Sequence, residues 1–362
     1  MRSRCVSRFH NYLFGLGRDP YFVDLHHQRG CSISNSLSNN KFLVRTIRST
    51  MQPRKEKFYY YSCEHDGQSH KLGKETECTS ILRNLGGVSY HKIEFAKGLF
   101  CLWSEKFEPV FIFNPTTRES RFLPRLDIDF SSTNYQCHCS LGFDPNLKKH
   151  KVLMTIYDPE MKLTIHCWVF TLGETTWREI NCDRITNFYP RTYYEGAYVD
   201  GAVYFYCGQY CNIYGLHIVA FNCRIEEVRI ISLWDNYRDY GMRVGRRFNL
   251  VELEGKLAAI DVMCNYMRVW ILQSPETGEW IRQPEIVIPP NVTCENFVVH
   301  RRCTSTTDKK EIAFTKPYSD ATDRILFYDF KENKWRSERI LGLADNAKIV
   351  GIYNYEYCIY SV

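Results

Sequence analysis

The stretch FIFNPTTRESRFLP, residues 111–124, consists of an apolar strand, a polar turn and a second apolar anchor. The same unit recurs as WVFTLGETTWREI (168–180), IVAFNCRIEEVRII (218–231), WILQSPETGEWIRQ (270–283) and ILFYDFKENKWRSE (325–338). The turns follow one another roughly every fifty residues, and a period of that size is typical of propellers and repeat arrays. The repeat therefore favours a ring of similar sheets.

A second element precedes each of these units, and we interpret it as an inner strand to which a glycine turn leads at several positions. These elements are GLFCLW (98–103), KVLMTIY (151–157), GAVYFY (201–206), GKLAAIDV (255–262) and KEIAFTK (310–316). Two such halves make about four strands, which is one propeller blade. The chain after residue 41 has room for about six blades at this period.

The two ends of the repeat region lack partners of their own. Residues 41–71 supply strands with no earlier half, and residues 347–360 supply a strand with no following turn unit. Pairing them would close the ring and remove exposed sheet edges. The sequence predicts an all-β fold, a β-propeller of about six blades whose ends close the ring. A pair of β-sandwiches or a jelly roll is the alternative.

The composition and charge of the chain limit the classes of protein to which it can belong. The 362 residues are 44% hydrophobic and 15% aromatic, so the chain can bury a large core. The net charge of +6 comes from 47 basic and 41 acidic residues scattered along the chain. The densest basic run beyond the N-terminus is Arg243, Arg246 and Arg247, which is too sparse to follow a phosphate backbone. No apolar run approaches the ~20 residues that cross a bilayer. We expect neither a nucleic-acid partner nor a membrane.

The 16 cysteines are not spaced in the regular way that would indicate disulfide pairs. Neither Cys137 and Cys139 nor Cys207 and Cys211 are followed by a second pair at zinc-ligand spacing. Long chains with an ample core do not need a disulfide scaffold. We expect reduced, buried thiols, no bound metal, and a location in the cytoplasm, the nucleus or both.

Known catalytic motifs are absent from the sequence. It contains no Gly-x-Ser-x-Gly elbow, no His-Glu-x-x-His and no phosphate-binding loop. The polar residues Asn114, Thr116 and Thr117 surround Pro115, and this pattern favours a tight turn over a ligand site. We therefore expect a protein that is not an enzyme and needs no cofactor. A propeller that binds a glycan or another small ligand remains the less favoured alternative.

The first 40 residues differ from the rest of the chain in composition and in the spacing of their apolar residues. Val6, Phe9, Leu13 and Leu16 have the spacing of one amphipathic helix within residues 1–30, and Asp19-Pro20 would end it. Residues 31–40 are rich in Ser and Asn and predict a linker, so the propeller domain would span 41–362. The early arginines would also suit a mitochondrial transit peptide.

In their order along the chain, several stretches resemble the plant family of F-box associated domain proteins. They are FIFNPTTRESRFLP, LGFDPNLKKHKVL (141–153), EGAYVDGAVYF (195–205) and FYDFKENKW (327–335). The resemblance implies an N-terminal F-box joined to a propeller-like domain. It implies structural roles for Gly98, Asn114, Pro115, Thr116, Leu123, Pro124, Gly142, Asp144, Pro145, Trp177, Gly201, Trp280 and Trp335.

Residues 2–29 resemble the last part of an F-box, with Cys5-Val6-Ser7 and Asp19-Pro20-Tyr21-Phe22 as its landmarks. The resemblance implies partner-binding roles for Cys5, Val6, Phe9, Leu13, Pro20 and Phe22. The first part of the box would lie before Met1, so the remnant is expected to be truncated.

By this resemblance the chain would be the substrate-recognition subunit of a Skp, cullin and F-box ubiquitin ligase. A Skp-family adaptor and a cullin ligase would be its partners, and an unknown target protein would bind the propeller loops. The truncated box keeps an alternative open, in which a stand-alone propeller or decoy does not bind Skp.

Overall fold

A computed structural model describes sixteen segments of the chain. They are residues 42–49, 56–65, 70–77, 92–105, 110–126, 135–158, 160, 163–192, 195–209, 212–234, 248–263, 265–289, 302–305, 310–315, 324–343 and 347–354. The predicted N-terminal helix and the predicted linker at 31–40 lie outside them.

Strands make up almost all of the regular structure. The first are β1 (Phe42–Ser49), β2 (Glu56–His65) and β3 (His70–Glu77). Blade 1 contains β4 (Lys92–Ala96), β5 (Leu99–Trp103), β6 (Phe111–Phe113) and β7 (Ser120–Phe122). Blade 2 contains β8 (Gln136–Asp144), β9 (Lys149–Asp158), β10 (Leu163–Thr171) and β11 (Arg178–Ile180). A single 3-10 turn, Asp183–Ile185, follows it within the described part of the chain.

Blade 3 contains β12 (Phe188–Pro190), β13 (Ala197–Val199), β14 (Ala202–Gln209), β15 (Asn212–Asn222) and β16 (Glu227–Ser232). Blade 4 contains β17 (Asn249–Leu253), β18 (Lys256–Val262), β19 (Tyr266–Ser274), β20 (Glu279–Arg282) and β21 (Ile286–Val287). Blade 5 contains β22 (Arg302–Ser305), β23 (Glu311–Thr315), β24 (Arg324–Asp329) and β25 (Lys334–Leu341), and β26 (Ala347–Asn354) completes the chain's strands.

The ends of the chain close the ring, as the sequence predicted. β26 pairs with β1 in antiparallel register from Phe42 opposite Asn354 to Arg48 opposite Ala347. The strands β26, β1, β2 and β3 therefore form a four-stranded terminal unit in that order. On its other side, the ring of Tyr353 packs edge-on against Phe100 of blade 1, with centroids 4.9 Å apart. The all-β propeller fold is confirmed.

The number of separate sheets differs from the expected six or so. Five sheets are present in the described residues, because the terminal unit and blade 5 form one eight-stranded sheet. A short parallel pairing joins them, with Ile340 opposite His70 and Leu341 opposite Lys71. Because only two residue pairs form this junction, the sequence contains no pattern that predicts it.

The innermost strands are β4, β8, β13, β17, β22 and β26, because these strands contact one another in the middle of the ring. The glycine-led halves that we interpreted as inner strands lie one position further out, as β5, β9, β14, β18 and β23. They are buried along nearly their whole length, as β5 illustrates, because neighbouring blades cover both of their faces. Strands covered on both faces have continuous apolar runs, which is why these halves stood out in the sequence.

The core lies between neighbouring blades. One cluster combines Cys101 and Ile112 of blade 1 with Leu141 and Val152 of blade 2, and further clusters fill the next junctions in the same way. Outer strands such as β7 and β20 are largely exposed. A blade thus cannot bury its faces without its neighbours, and the ring is stabilised as a unit.

Candidate functional site

The propeller has two unlike faces. Antiparallel strands alternate in direction, so two hairpin turns of each blade share one face, here called the turn face; examples are the β4–β5 and β6–β7 turns of blade 1 and the β13–β14 and β15–β16 turns of blade 3. β1 begins and β26 ends at this face, since Phe42 lies opposite Asn354. Connections between successive blades, and the middle hairpin connection of a blade such as β18–β19, leave from the opposite face, here called the loop face.

Connections at the turn face are short and well defined. Lys97-Gly98 and Asp200-Gly201 form two-residue turns with φ values of 44° and 81°, and of 39° and 81°. Positive φ at both positions is the geometry of a tight hairpin turn whose twist matches the strands, and glycine adopts it without strain. Gly98 and Gly201 therefore have structural roles.

The loop face carries the longest connections of the chain. The strand ends that they join are Glu77 and Lys92, Phe122 and Gln136, Ser232 and Asn249, and Val287 and Arg302. Variable loops held by a rigid scaffold are the usual place for recognition. The loop face is therefore the candidate binding surface.

Polar side chains line the described inner part of the loop face in blades 1 and 2. Lys92, at the start of β4, lies 3.6 Å from a carboxylate oxygen of Glu105, and both side chains are partly exposed. In blade 2, the Tyr157 hydroxyl donates a hydrogen bond of 2.8 Å to Oε1 of Gln136. This region presents charge, amide and phenol groups within a small area.

A second polar cluster lies at the loop face of blade 4. Arg268 donates from Nε to Oε2 of Glu285 at 3.0 Å, and its guanidinium stacks over the ring of Tyr266 at 4.5 Å. The buried carboxylate of Asp261 lies 3.9 Å from the same guanidinium. Arginine and tyrosine in fixed positions are typical of surfaces that bind proteins.

Glu94 and His138 are titratable groups buried on the innermost strands. Burial raises the pKa of Glu94 on β4 to about 8, the nearby charge of Glu195 adds to the shift, and a hydrogen bond from the amide of Gly196 opposes it. Burial lowers the pKa of His138 on β8 to about 3, with a further contribution from Lys92. His138 is packed between Trp103 and Phe205 and is a core residue.

The described residues contain no group of three or more His, Cys, Asp or Glu side chains that could hold a metal ion. In the same part of the chain, no helix has the length and apolar character needed to cross a membrane. The chemistry that the described loop face offers is recognition by hydrogen bonds, charge and aromatic contact.

The Gly-Phe-Asp-Pro motif joins blade 2 to blade 3. Asp144 Oδ1 accepts hydrogen bonds from the amides of Asn146 and Leu147, while Oδ2 accepts one of 2.9 Å from the buried ammonium of Lys151. Lys151 also donates to the carbonyl oxygen of Cys223 at 2.7 Å and lies 2.8 Å from Glu226. The motif thus holds two neighbouring turns together.

Glycine at position 142 is required by close packing. A Cβ atom there would lie 2.4 Å from the sulfur of Cys223 and 2.6 Å from Val203, both in blade 3. At the same junction, the Tyr198 hydroxyl donates to the carbonyl oxygen of Phe143, and Pro145 packs beside Gly201. Gly142, Asp144, Pro145 and Gly201 are therefore brought together by the fold.

The three tryptophans of the motif set make the same contact at three junctions. Each indole N–H donates to a backbone carbonyl oxygen of the preceding blade. The pairs are Trp177 with Pro124 at 2.7 Å, Trp280 with Ser232 at 2.9 Å, and Trp335 with Val287 at 3.0 Å. These residues link neighbouring blades.

The Asn-Pro-Thr-Thr stretch forms a turn. Asn114 is buried, and its Oδ1 accepts hydrogen bonds from the amides of Thr116 at 2.9 Å and Thr117 at 3.2 Å. Pro115 lies inside this turn, and the Arg118 amide closes it on the carbonyl oxygen of Asn114. After β7, Leu123 is buried in the junction with blade 2, and its amide donates to Val110.

Sequence reasoning did not single out Lys151, Glu226 or Arg178 as site residues. Glu226 accepts two hydrogen bonds from the exposed guanidinium of Arg178 and thereby extends the buried ion network to the surface. The signal in the sequence is weak, because Lys151 only precedes an apolar run within β9, and its partner Glu226 lies in another blade. The predicted partner-binding residues Cys5, Val6, Phe9, Leu13, Pro20 and Phe22 lie outside the described residues.

Comparison with known proteins agrees with this architecture. A family model described as the F-box associated beta propeller domain matches residues 46–361. F-box protein At1g52495 of Arabidopsis thaliana is 26% identical over 297 residues, and the match covers 77% of this chain and 63% of that protein. F-box protein At5g18160 of the same plant is 24% identical, with 70% and 60% covered.

Among solved structures, a chain in the crystal structure of a nidogen/laminin complex superposes with a TM-score of 0.48 at 12% identity, covering 88% of this chain and 100% of that chain. The chain spans about 60% of the length of the two plant relatives. Because the family model extends from β1 to beyond β26 over the whole ring, this chain belongs to the F-box associated β-propeller domain family.

Proposed function

We propose that this protein is the substrate-recognition subunit of a Skp, cullin and F-box ubiquitin ligase and binds its target protein at the loop face. One observation carries the proposal. The first described strand begins at the turn face, whereas the long connections leave from the loop face at the other end of the ring. The segment before Phe42 and the target would therefore occupy opposite sides of the propeller.

This arrangement suits an adaptor, because the two binding events do not compete for surface. The ring between them is closed by β26 and β1, and its blades are linked by the Lys151–Glu226 ion pair between blades 2 and 3 and by indole hydrogen bonds at three junctions. A rigid connector would hold a bound target in a constant position relative to the ligase. Geometry of that kind favours repeated transfer of ubiquitin by the other subunits.

The chemistry of the loop face supports a protein as the ligand. Arg268 with Tyr266, and Lys92 with Glu105, supply charged and aromatic groups on strand ends rather than in a deep apolar cleft. Protein interfaces are rich in arginine and tyrosine, with a polar rim around the contact. Under this proposal the chain itself carries out no catalysis and works in the cytoplasm or the nucleus.

Two substitutions separate the two binding events. Phe22→Asp should abolish co-purification of a Skp-family adaptor with the full chain and leave target capture unchanged. Lys92→Glu at the loop face should reduce target capture and leave the adaptor bound. Proximity labelling in plant cells under proteasome inhibition, with quantitative mass spectrometry, measures both.

The matched control is Lys331→Glu, which makes the same charge change at an exposed position of the turn face. It should keep both the adaptor and the targets, and thermal melting should show that all three variants fold. Failure of the folded wild-type chain to capture any Skp-family adaptor would refute the ligase role. Loss of targets with Lys331→Glu, but not with Lys92→Glu, would refute the loop face as the binding surface.

A further inference from the structure

Cys167 and Cys182 lie side by side in blade 2. Cys167 is buried in β10, and its Cα partner across the sheet is Ile180 of β11. Cys182 follows Ile180 by two residues, after the end of β11 and just before the 3-10 turn Asp183–Ile185. Cys182 packs against the same cluster of buried residues that contains Cys167.

Both cysteines are free thiols, and each shifts the pKa of the other through a side-chain hydrogen bond, while the Cys167 sulfur also lies 3.9 Å from the hydroxyl oxygen of Thr155. The segment that carries Cys182 is already fixed against β10. Thr164 of β10 makes two hydrogen bonds to this segment. Its amide donates to the carbonyl oxygen of Thr186 at 3.0 Å, and its hydroxyl donates to the carbonyl oxygen of Phe188 at 2.6 Å. The thiols are therefore held together by the surrounding backbone.

The two thiols differ in reactivity. Cys182 is only partly buried, whereas Cys167 is fully buried. The hydrogen bond from Cys167 lowers the pKa of Cys182 to about 7, burial opposes that shift, and the nearby charge of His166 adds to it. The same hydrogen bond, together with burial, raises the pKa of Cys167. A thiolate is the reactive form of cysteine, so Cys182 is the nucleophile of the pair.

His166 lies beside this pair at the surface and shares a 2.6 Å hydrogen bond with Glu179 through Nδ1. Glu179 and Asp183 are the acidic groups near Cys182, and both oppose formation of its thiolate. The group is thus a partly exposed cysteine with a polar neighbour on the outside and a second thiol behind it. Redox-sensing cysteines have this arrangement.

We infer that Cys182 and Cys167 form a peroxide-sensitive dithiol, in which Cys182 is oxidised first and Cys167 resolves the product. The Cys182 thiolate attacks one oxygen of hydrogen peroxide, the O–O bond breaks, and with one proton the products are a sulfenic acid and water. The Cys167 thiol then displaces the hydroxyl group as a second water and forms the disulfide. Two thiols and one peroxide give one disulfide and two waters.

Such a disulfide would join the third strand of blade 2 to the segment that leads into blade 3. The segment lies at the loop face, where β11 ends and β12 begins. Oxidation would therefore fix the spacing of two neighbouring blades at the surface that we assign to target binding. The dithiol itself does not depend on that assignment, and its test does not use a binding partner.

Trypsin separates the two cysteines cleanly. Cys167 falls in LTIHCWVFTLGETTWR (163–178) and Cys182 in EINCDR (179–184), and each peptide contains one cysteine. After the folded chain is treated with a small excess of hydrogen peroxide and then alkylated, we expect the two peptides to appear as one disulfide-linked species. Reduction should return both to the free form.

Two variants define the order of the steps. Cys182→Ser should abolish the linked species and leave Cys167 as a free thiol. Cys167→Ser should leave Cys182 as a sulfenic acid that dimedone traps. Cys303 is the internal control, since it is also partly buried, falls alone in CTSTTDK (303–309), and has a pKa raised by burial.

The inference is overturned if peroxide leaves Cys182 alkylatable in the folded chain, or if Cys303 reacts as fast as Cys182. It is also overturned if Cys182 links to a different cysteine while Cys167 stays free. Circular dichroism before and after treatment shows that the chain remains folded, and the same measurement applies to both serine variants.

Discussion

The indole N–H of Trp280 in β20 donates to the carbonyl oxygen of Ser232 at the end of β16, 2.9 Å away and in the preceding blade. Trp177 and Trp335 make the equivalent bond at their own junctions. Each tryptophan lies close after the turn of its repeat unit, so the repeat in the sequence corresponds to a repeated contact. It places one indole donor in each of these blades beside a backbone carbonyl oxygen of the preceding blade.

We expect Trp280→Phe to lower the free energy of unfolding by about 1 kcal/mol through loss of this hydrogen bond, in addition to the packing change. Urea unfolding followed by circular dichroism measures the effect. The control is Trp168→Phe, because Trp168 is also partly buried but its indole nitrogen has no hydrogen-bond partner among the residues that the structure describes. Equal losses in the two variants would show that the bond to Ser232 contributes nothing.

The ion network at the Gly-Phe-Asp-Pro motif predicts a loss of stability in acid. Burial by itself would raise the pKa of Asp144, but hydrogen bonds from Lys151 and from the amides of Leu147 and Asn146 outweigh it and lower the pKa. For Glu226, burial is likewise outweighed by hydrogen bonds from Arg178 and Lys151, so its pKa is also lowered.

Carboxyl groups with lowered pKa values in the folded state stabilise it above their ordinary pKa of about 4, and this stabilisation disappears as the pH falls through the folded-state values. We therefore expect Asp144→Asn to cost about 3 kcal/mol at pH 7, since it leaves Lys151 buried with less charge to pair with. Its stability should also change less than that of the wild type below pH 4. Urea unfolding between pH 2 and pH 7 tests both.

Asp329→Asn is the matched control for this series. Asp329 Oδ1 accepts hydrogen bonds from the amides of Lys331 and Glu332 in the same kind of turn. Asp329, however, is at a half-exposed position in blade 5. Asparagine can make those two bonds, so the change should cost less than ~0.5 kcal/mol. If Asp144→Asn is equally mild, the buried ion pair is not what stabilises the junction.

The raised pKa of Glu94 predicts that stability decreases as the pH rises through the neutral range, opposite to the effect of Asp144 and Glu226 in acid. Its pKa is raised from 4.5 to about 8, chiefly by burial, so between these values the folded chain holds a proton that the unfolded chain releases. Stability should therefore fall as the pH rises from 5 to 8, by up to about 1.4 kcal/mol per pH unit, and level off above 8.

Glu94→Gln should remove this decline, because the amide stays neutral and can still accept the hydrogen bond from Gly196. Guanidinium unfolding at pH 5, 7 and 9 measures the change. Glu332→Gln, at an exposed turn position, serves as the control and should keep the slope of the wild type. A Glu94→Gln variant whose stability still declines in this range would contradict the raised pKa.

The repeat in the sequence was sufficient to predict the ring and its closure. The turn units and the apolar second strands are local patterns, and the unpaired strands at the two ends, now β1 and β26, could be matched because each lacked a partner. The innermost strands were harder to predict. β4 and β17 are five residues long and mix charged with apolar positions, since part of each faces the middle of the ring.

Contacts between blades were not predictable from one sequence. Lys151 stands at the start of an apolar run, and only the fold shows that Glu226 from the next blade lies 2.8 Å from its ammonium group. Likewise, two residue pairs between β25 and β3 merge two four-stranded units into one sheet, which changes the count of sheets. Periodicity reports what happens within a repeat, whereas these features depend on how one repeat meets another.

The pairing of β26 with β1 sets an order of events during synthesis. A ribosome completes residues 42–49 first and residues 347–354 last, and at ~5–20 residues per second the interval is on the order of tens of seconds. Through that interval the edge of β1 that will receive β26 is open to other strands. The edge of β1 therefore stays exposed to edge-to-edge pairing until residues 347–354 have been made, and chaperone demand should depend on that segment more than on any earlier segment of similar length.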